Sequence, residues 1–260
     1  MHDFIVCSIF KNESHILDEW ISHYLFHGVD HIYLVNDFST DSYLEIIKKY
    51  ADRVTLFHND IVTREVGRQL QIYRKYFTSL LPTAKWMSIL DLDEFLYSPE
   101  TINIKQVLME YSKYSQILVD WVHFGSNNHV KQPPSVVEGF TMRAMPREPG
   151  KNMKYHGYKS IFKCAHLKNF DIHSSNVDGK MLRIVDAKDA KLLINHYNLQ
   201  SLEFFINVKG TRGDVNNWFD HIKLQRDKEF FAEVDINDLE DLRLCKQNRE
   251  LILSKTQTDC

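Results

Sequence analysis

The alternation of apolar runs with amphipathic stretches over the first 100 residues constrains the fold of this chain more than any other feature. Residues 4–10 form a nearly continuous apolar run, which is typical of a strand buried on both faces of a parallel sheet. Ser14 is a candidate cap for a helix whose apolar period ends at Gly28, and residues 31–35 form a second predicted strand. A strand–helix–strand unit requires a right-handed crossover and therefore predicts a parallel sheet.

The same alternation repeats twice. A predicted helix over 41–50 leads to a third strand over 54–58, and a helix over 69–81, closed by Pro82, leads to a fourth strand over 85–90. This order predicts an α/β fold with a doubly wound, mostly parallel sheet flanked by helices. Ligands in such sheets bind at the carboxyl ends of the strands. The polar residues at those ends, which we expect to converge, are Asn12-Glu13, Asn36-Asp37 and Asp91–Asp93.

Beyond residue 100 the pattern is less regular. Residues 116–124 form another predicted strand, broken by the polar segment 125–128, and residues 132–152 contain four of the six prolines. Further short strands are predicted over 160–163, 181–185 and 192–195, and helices follow from residue 202. We predict one domain over 1–215 and a C-terminal helical extension over 216–260 that packs on it.

Composition excludes several classes of protein. With 43% hydrophobic and 26% charged residues the chain is typical of a soluble globular protein, and a net charge of −3 provides no basic field for nucleic acid. Four scattered cysteines indicate a reducing compartment. No signal peptide is recognisable, and no apolar run approaches the ~18 residues of a membrane span. The sequence therefore predicts a cytoplasmic protein, and a place at the inner face of the membrane stays open.

The acidic segment Asp91-Leu92-Asp93-Glu94 gives the sharpest chemical signal. At a strand end that turns into a loop, two carboxylates two residues apart both reach one ion. Mg²⁺ and Mn²⁺ prefer such oxygen ligands and often share them with phosphates. The alternative is a solvated acidic turn, but the preceding apolar strand favours a functional role.

A second polar segment, residues 36–41, follows the second predicted strand. Asp37 lies where a carboxylate accepts hydrogen bonds from a ribose or a nucleobase. Ser39 and Asp41 are also typical helix caps, and we assign Asp41 to capping the next helix and Asp37 to a ligand.

Four segments together resemble glycosyltransferase family 2, and in particular its bacterial branch that is similar to family 92. They are Lys11-Asn12-Glu13, Gly28–Tyr33, Asn36-Asp37-x-Ser39-x-Asp41 and Asp91-x-Asp93-Glu94-Phe95. The resemblance covers the first half of the chain, with weaker similarity as far as Arg212. It implies a GT-A-like (Rossmann-like) fold with C-terminal helices, a nucleotide-sugar donor, with a UDP-sugar favoured, and Mn²⁺ or Mg²⁺.

The resemblance also implies roles for individual acids. Glu13 and Asp37 would line the base and ribose pocket, Asp91 would contact the ribose or the metal, and Asp93 would ligate the metal. A later histidine often completes such a metal site. The candidates are His173 and His196.

We favour His196 as the metal ligand because it ends an apolar strand and precedes the basic segment that contains Lys209 and Arg212. Lysine and arginine beside glycine neutralise phosphate groups that approach the backbone closely. The alternative is an exposed basic turn. Lys159, which matches a basic position of the branch, and Arg68, at the start of the third predicted helix, are further donor-binding candidates.

Trp121 begins a W-x-x-F-G segment that resembles the acceptor side of this branch, although an aromatic residue is also a common core residue. Asp120, just before it, is our candidate for the general base that deprotonates the acceptor hydroxyl. Glu138 and Asp171 are its rivals.

The sequence thus favours a metal-dependent inverting glycosyltransferase that moves a sugar to a saccharide or lipid-linked acceptor, in bacterial surface polysaccharide assembly. One alternative is a metal-dependent phosphoesterase or nucleotidyltransferase, which needs further ligands such as those of the segment His58-Asn59-Asp60. Another is a non-catalytic carbohydrate-binding protein. Peripheral membrane contact and homodimer formation stay open, and nucleic acid is excluded as a partner.

Overall fold

The structure is a computed structural model, and it describes residues 1–63, 67–146, 157–211 and 227–249. Its strands are β1 (His2–Phe10), β2 (His31–Asn36), β3 (Val54–His58), β4 (Ala84–Ile89), β5 (Glu94–Tyr97), β6 (Gln116–His123), β7 (Met142–Arg143), β8 (Tyr158–Lys163), β9 (Leu167–Asn169), β10 (Asn176–Val177), β11 (Met181–Ile184), β12 (Leu193–His196) and β13 (Leu239–Glu240). Its helices are α1 (Ser14–Phe26), α2 (Tyr43–Ile47), α3 (Arg68–Phe77), α4 (Ile104–Glu110), α5 (Val136–Gly139), α6 (Leu202–Phe204) and α7 (Lys228–Val234). Residues 243–249 are also helical.

One large sheet, in the order β3-β2-β1-β4-β8-β6-β12-β5, forms the centre of the molecule. Strands β1 to β4 are mutually parallel where they pair, β8 runs antiparallel to both β4 and β6, and β11 and β12 pair with β6 in parallel. Strand β5 closes this end, antiparallel to β12. The prediction of an α/β fold with a mixed, mostly parallel sheet is confirmed.

The apolar run in β1 is buried because both faces of the sheet are covered. Phe4, Val6 and Phe10 contribute to the core that contains α1, whereas Ile5 and Cys7 contribute to the core on the α3 side. The alternation follows from the two-residue period of a strand. Burying each such side chain stabilises the fold by roughly 1.5–3 kcal/mol, so the run fixes β1 at the centre of the sheet.

Three local predictions about helix ends are wrong. Ser14 does not cap α1 but begins it, and its N–H donates to Asp41 Oδ2 at 2.7 Å, so Asp41 serves α1 rather than the next helix. Pro82 does not end α3 directly, because the helix ends at Phe77 and continues as the 3₁₀ segment Thr78–Thr83. A proline lacks the N–H of an α-helical bond, and the tighter turn accommodates it.

The second half is more regular than the prolines predict. The predicted break after β6 is present, since Asn127 and Asn128 have φ values of 50° and 59°, in the left-handed region. Residues 132–146 contain α5 and β7, while residues 147–156 lie outside the described residues.

The described part of the C-terminal segment packs on the sheet domain. Strand β13 pairs with β7, and Leu244 and Cys245 belong to the same core as α1. The guanidinium of Arg143 bridges Asp186 and Asp241, which ties the segment to the domain through buried charges. The boundary at residue 215 lies outside the described residues and stays a prediction.

Candidate active site

The carboxyl ends of β1, β2 and β4 lie side by side. The N–H of Asp37 donates to Phe10 O at 2.8 Å, and the N–H of Leu90 donates to Cys7 O at 2.9 Å, so chain segments on both sides are attached to β1. Asp37 and the acidic segment 91–94 therefore follow parallel strands that are two strand spacings apart, about 10 Å along the sheet. We call these three strand ends, with residues 11–13, 37–41 and 91–94, the binding edge.

Hydrogen bonds between neighbouring loops fix the first part of the binding edge. The N–H of Asn12 donates to Ser39 Oγ at 2.9 Å, and the N–H of Thr40 donates to Asn12 Oδ1 at 2.8 Å. Asn12 has a φ of 53°, which asparagine tolerates better than most residues. Glu13 is buried next to it and is the N-cap residue of α1.

Asp37 and Arg68, two predicted donor-binding residues, form a buried ion pair. Arg68 Nη1 and Nη2 lie 2.9 and 2.6 Å from Asp37 Oδ2 and Oδ1, and Asn59 Nδ2 donates to Oδ1 at 2.7 Å. Such a bidentate pair fixes the orientation of the carboxylate. Among the described residues Oδ2 has one donor and Oδ1 has two, so Oδ2 retains acceptor capacity toward a ligand hydroxyl or N–H.

Asp91 and Glu94 surround the ammonium group of Lys159. Lys159 is buried and its Nζ lies 2.8 Å from Asp91 Oδ2 and 3.6 Å from Glu94 Oε2. Burial raises the pKa of Glu94 well above its ordinary value, although Lys159 acts in the opposite direction. The Asp91 side chain is 43% exposed, so it is the member of this group that a ligand reaches first.

Asp93 contacts both residues that the resemblance groups with it. Its Oδ2 lies 2.9 Å from Lys209 Nζ, and its Oδ1 lies 3.5 Å from His196 Nε2. Burial alone would raise the pKa of Asp93, but Lys209 and His196 outweigh it and hold this pKa well below its ordinary value. In the antiparallel pairing of β5 with β12, His196 lies opposite Glu94. This pairing brings His196 close to Asp93, the residue before Glu94.

Trp121 is a ring neighbour of both candidate histidines. Its ring centroid is 4.3 Å from that of His196 and 5.5 Å from that of His173. His173 Nδ1 lies 3.3 Å from Tyr158 O, and burial together with the nearby charge of Lys159 lowers the pKa of His173. Of the two histidines, His196 is the one that contacts Asp93.

The candidate general base lies in an ion pair. Arg183 Nε and Nη2 lie 2.8 and 3.2 Å from the two carboxylate oxygens of Asp120. Asp120 and Trp121 are consecutive residues of β6, so their side chains point to opposite faces of the sheet. Asp120 as the base stays a prediction, and in that role it would have to share its carboxylate with Arg183.

The rival candidates for the general base have other partners. Glu138 is 4.0 Å from Arg249, and the Asp171 carboxylate accepts the N–H of His173 at 3.0 Å. Arg212 lies outside the described residues. His58-Asn59-Asp60 does not join the acidic segment, because Asn59 binds Asp37 and Asp60 pairs with Lys75 at the surface.

Asp93 and His196 fit a divalent cation as two of its ligands. A carboxylate oxygen and an imidazole nitrogen 3.5 Å apart are able to approach one ion, and Mn²⁺ accepts both atom types. The described residues contain no group of three or more His, Cys, Asp or Glu side chains arranged to hold a metal. The remaining ligands would then come from a bound molecule such as a diphosphate.

The sequence analysis assigned no role in donor binding to two residues that shape the site. Asn59, which follows β3, orients Asp37, and the cluster of polar residues after that strand was its only signal. Gly157 allows the chain to pass close to the indole of Trp121, since a Cβ at this position would lie 1.9 Å from a ring atom. A glycine two residues before Lys159 does not by itself predict that contact.

The sequence matches glycosyltransferase family 92 over residues 2–243. The chain therefore belongs to glycosyltransferase family 92. The resemblance that the four motifs indicate is confirmed at the level of this family, and the bacterial branch stays a prediction.

Individual relatives are distant. A glycosyltransferase family 92 protein of Ricinus communis is 26% identical over 78% of this chain and 37% of its own length. A galactan beta-1,4-galactosyltransferase of Arabidopsis thaliana is 25% identical over 48% of this chain and 26% of its own length. The chain thus spans about a third of the length of the curated relatives it matches.

Solved structures with a similar fold include S. aureus TarS in complex with UDP. It has a TM-score of 0.44 and 15% identity, over 74% of this chain and 60% of that one.

No helix in the described part of the chain has the length and apolar character to cross a membrane.

Proposed function

We propose that this chain is the catalytic domain of a metal-dependent, inverting glycosyltransferase that uses a nucleotide-sugar donor. The observation that carries the proposal is the convergence of two different polar groups at one edge of the sheet. The Asp37–Arg68 pair lies at one end of the binding edge, and Asp93 with His196 and Lys209 lies at the other. A nucleoside diphosphate has a hydrogen-bonding nucleoside at one end and charged phosphates at the other, which matches this order.

At the nucleoside end, Asp37 Oδ2 would accept a hydrogen bond from the ribose or the base. Arg68 and Asn59 hold the carboxylate in a fixed orientation before the donor arrives. Glu13, buried beside the interlocked loops, would line the same pocket. Preorganisation of this kind lowers the entropy lost on binding.

At the diphosphate end, the chain supplies cations close to acids. Lys209 and Lys159 would bind phosphate oxygens and stabilise the negative charge that develops as the sugar leaves. Arg212 is proposed for the same role. A divalent cation, Mn²⁺ or Mg²⁺, bound by Asp93 and His196 would supply further charge stabilisation to the diphosphate. Asp91 would contact the ribose or this ion.

On the acceptor side, Trp121 would offer a flat apolar face to a sugar ring. The acceptor hydroxyl attacks the anomeric carbon from the face opposite the diphosphate, so the new C–O bond forms as the bond to phosphate breaks and the configuration inverts. The hydroxyl proton passes to a general base, for which Asp120 stays the candidate. Because its side chain points to the face of β6 opposite to Trp121, the two residues would contact different parts of the acceptor. The Arabidopsis galactosyltransferase supports a saccharide acceptor, and a lipid-linked acceptor remains the alternative.

The donor is expected to be a UDP-sugar. A cytoplasmic location, peripheral membrane contact, a homodimer and a role in bacterial surface polysaccharide assembly all stay predictions.

The proposal is tested by incubating the protein with UDP-, GDP- and CMP-sugars and Mn²⁺, with and without saccharide acceptors, and measuring nucleotide release. We expect acceptor-stimulated release, and we expect Asp93→Asn to lose about 100-fold or more of it, as loss of a transition-state charge contact does. The matched control is Asp60→Asn, because Asp60 follows a neighbouring strand but pairs only with Lys75 and Tyr76 among the described residues. Full activity of Asp93→Asn, or phosphate release from simple esters without release from nucleotide sugars, would contradict the proposal.

A further inference from the structure

Phe38 combines two features that cost free energy. Its φ is 59°, in the left-handed region that a bulky side chain rarely adopts. Its side chain is nevertheless 46% exposed, and it is the one aromatic residue among the exposed large hydrophobic residues of the described chain. A ring that is half in solvent adds little to the core, so packing does not account for the strained backbone.

The loop around Phe38 is rigid. On its C-terminal side the N–H of Ser39 donates to Asn36 Oδ1 at 2.8 Å, and Ser39 Oγ and Thr40 N–H bind Asn12. On its N-terminal side Asp37 is held by Arg68. These bonds maintain the unusual φ and fix the backbone from which the ring projects, which is a feature of preorganised ligand sites.

The sheet order places Phe38 at the nucleoside end of the binding edge. It follows Asp37 directly at the end of β2. Trp121 lies on β6, which is four strand spacings from β2, or about 19 Å along the sheet. The two aromatic residues therefore serve different parts of a ligand that extends across the sheet.

We propose that Phe38 is the stacking platform for the nucleobase of the donor, an inference that rests on the proposed function. A nucleobase has a flat face that stacks on an aromatic ring whatever its hydrogen-bonding edge, so Phe38 contributes affinity for any base. Selection among bases is then left to hydrogen-bonding groups such as Asp37.

The experiment measures UDP binding by calorimetry, with inorganic pyrophosphate as the probe that has no base, both in the presence of MnCl₂. Phe38→Gly removes the ring and the strain together. We expect the Kd for UDP to rise about tenfold, the effect of losing one base–aromatic stack, while the Kd for pyrophosphate is unchanged. The melting temperature of the free variant is expected to stay equal or rise, because glycine adopts this φ without strain.

Two further variants separate the ring from the backbone. Phe38→Tyr keeps the aromatic face and should bind UDP within about twofold of the wild type. Phe38→Ala keeps a Cβ in the left-handed region and should lose the same UDP affinity as the glycine variant without its gain in stability.

Three results overturn the inference. They are unchanged UDP affinity in Phe38→Gly, an equal loss of UDP and pyrophosphate affinity, and a lowered melting temperature of Phe38→Gly, which would show that the ring packs on the protein. If the wild-type protein binds none of UDP, GDP, CDP and CMP, the proposed function fails first and this inference fails with it.

Discussion

Replacing Lys209 by methionine should lower the stability of the fold, because the buried carboxylate of Asp93 then loses a neighbouring positive charge. The two side chains are 14% and 10% exposed, and Lys209 Nζ lies 2.9 Å from Asp93 Oδ2. At an effective dielectric constant of about 20, Coulomb attraction at that distance is about 6 kcal/mol, most of which offsets the cost of burying the charges. Removing one partner of a buried pair costs about 3–5 kcal/mol, because the other charge remains without compensation.

We expect the lower end of that range, about 3 kcal/mol, because His196 remains beside the same carboxylate. For a chain of this size the loss corresponds to a melting temperature lower by about 6 °C. The assay is thermal unfolding of Lys209→Met in EDTA. The matched control is Lys191→Met, since Lys191 pairs with Glu110 at 2.7 Å at the surface, where solvent screens a salt bridge and its loss should leave the melting temperature almost unchanged.

Added Mn²⁺ distinguishes a cation site from a purely structural ion pair. In Lys209→Met the cation meets Asp93 and His196 without a competing ammonium group, and at 100 times its Kd it should return about 2.7 kcal/mol of stability. In the wild type the cation has to displace Lys209, so the same addition should raise the melting temperature less. Equal stability of the wild type and Lys209→Met in EDTA, or an equal response to Mn²⁺, would refute this reasoning.

Two further predictions concern stability. Burial lowers the pKa of His23 and of His27, so the folded protein binds fewer protons than the unfolded chain below pH ~6.5, and stability should fall as the pH falls. From pH 6.5 to 5.5 urea denaturation should show a loss of up to about 2 kcal/mol, and a constant stability would contradict the burial of these rings as neutral groups. Asp241→Asn should cost about 3 kcal/mol because Arg143, 3.1 Å away and buried, loses a partner charge. Its control is Glu240→Gln, an exposed neighbour, and equal losses in the two variants would show that the buried pair does not stabilise the C-terminal segment.

The parts of the fold that depend on local patterns were predictable. The apolar run of β1 and the helical period of α1 each follow from the environment of a few neighbouring residues. The position of Asp37 and Asp93 at one edge follows as well, because parallel strands all end at the same side of their sheet.

Features that depend on distant pairing were not predictable. The sequence favours His196 over His173, but the contact of His196 with Asp93 depends on β5, whose four residues are too few to give a periodic signal. That strand pairs with β12, far away in the sequence, and the pairing alone brings His196 to Asp93.

Contacts between side chains were the least predictable. The N-terminus of α1 is bound by Asp41 from 27 residues away, whereas capping rules consider only adjacent residues. Asp37 and Arg68 are 31 residues apart in the sequence. The sequence predicted each of them as a donor-binding residue but did not predict that they pair.

A crystal structure of the protein with UDP and Mn²⁺ tests the account most directly. The account predicts uracil and ribose beside Phe38 and Asp37, and the diphosphate beside Lys209 and a cation that Asp93 and His196 ligate. UDP bound away from the ends of β1, β2 and β4, or a cation held by other residues, would contradict it.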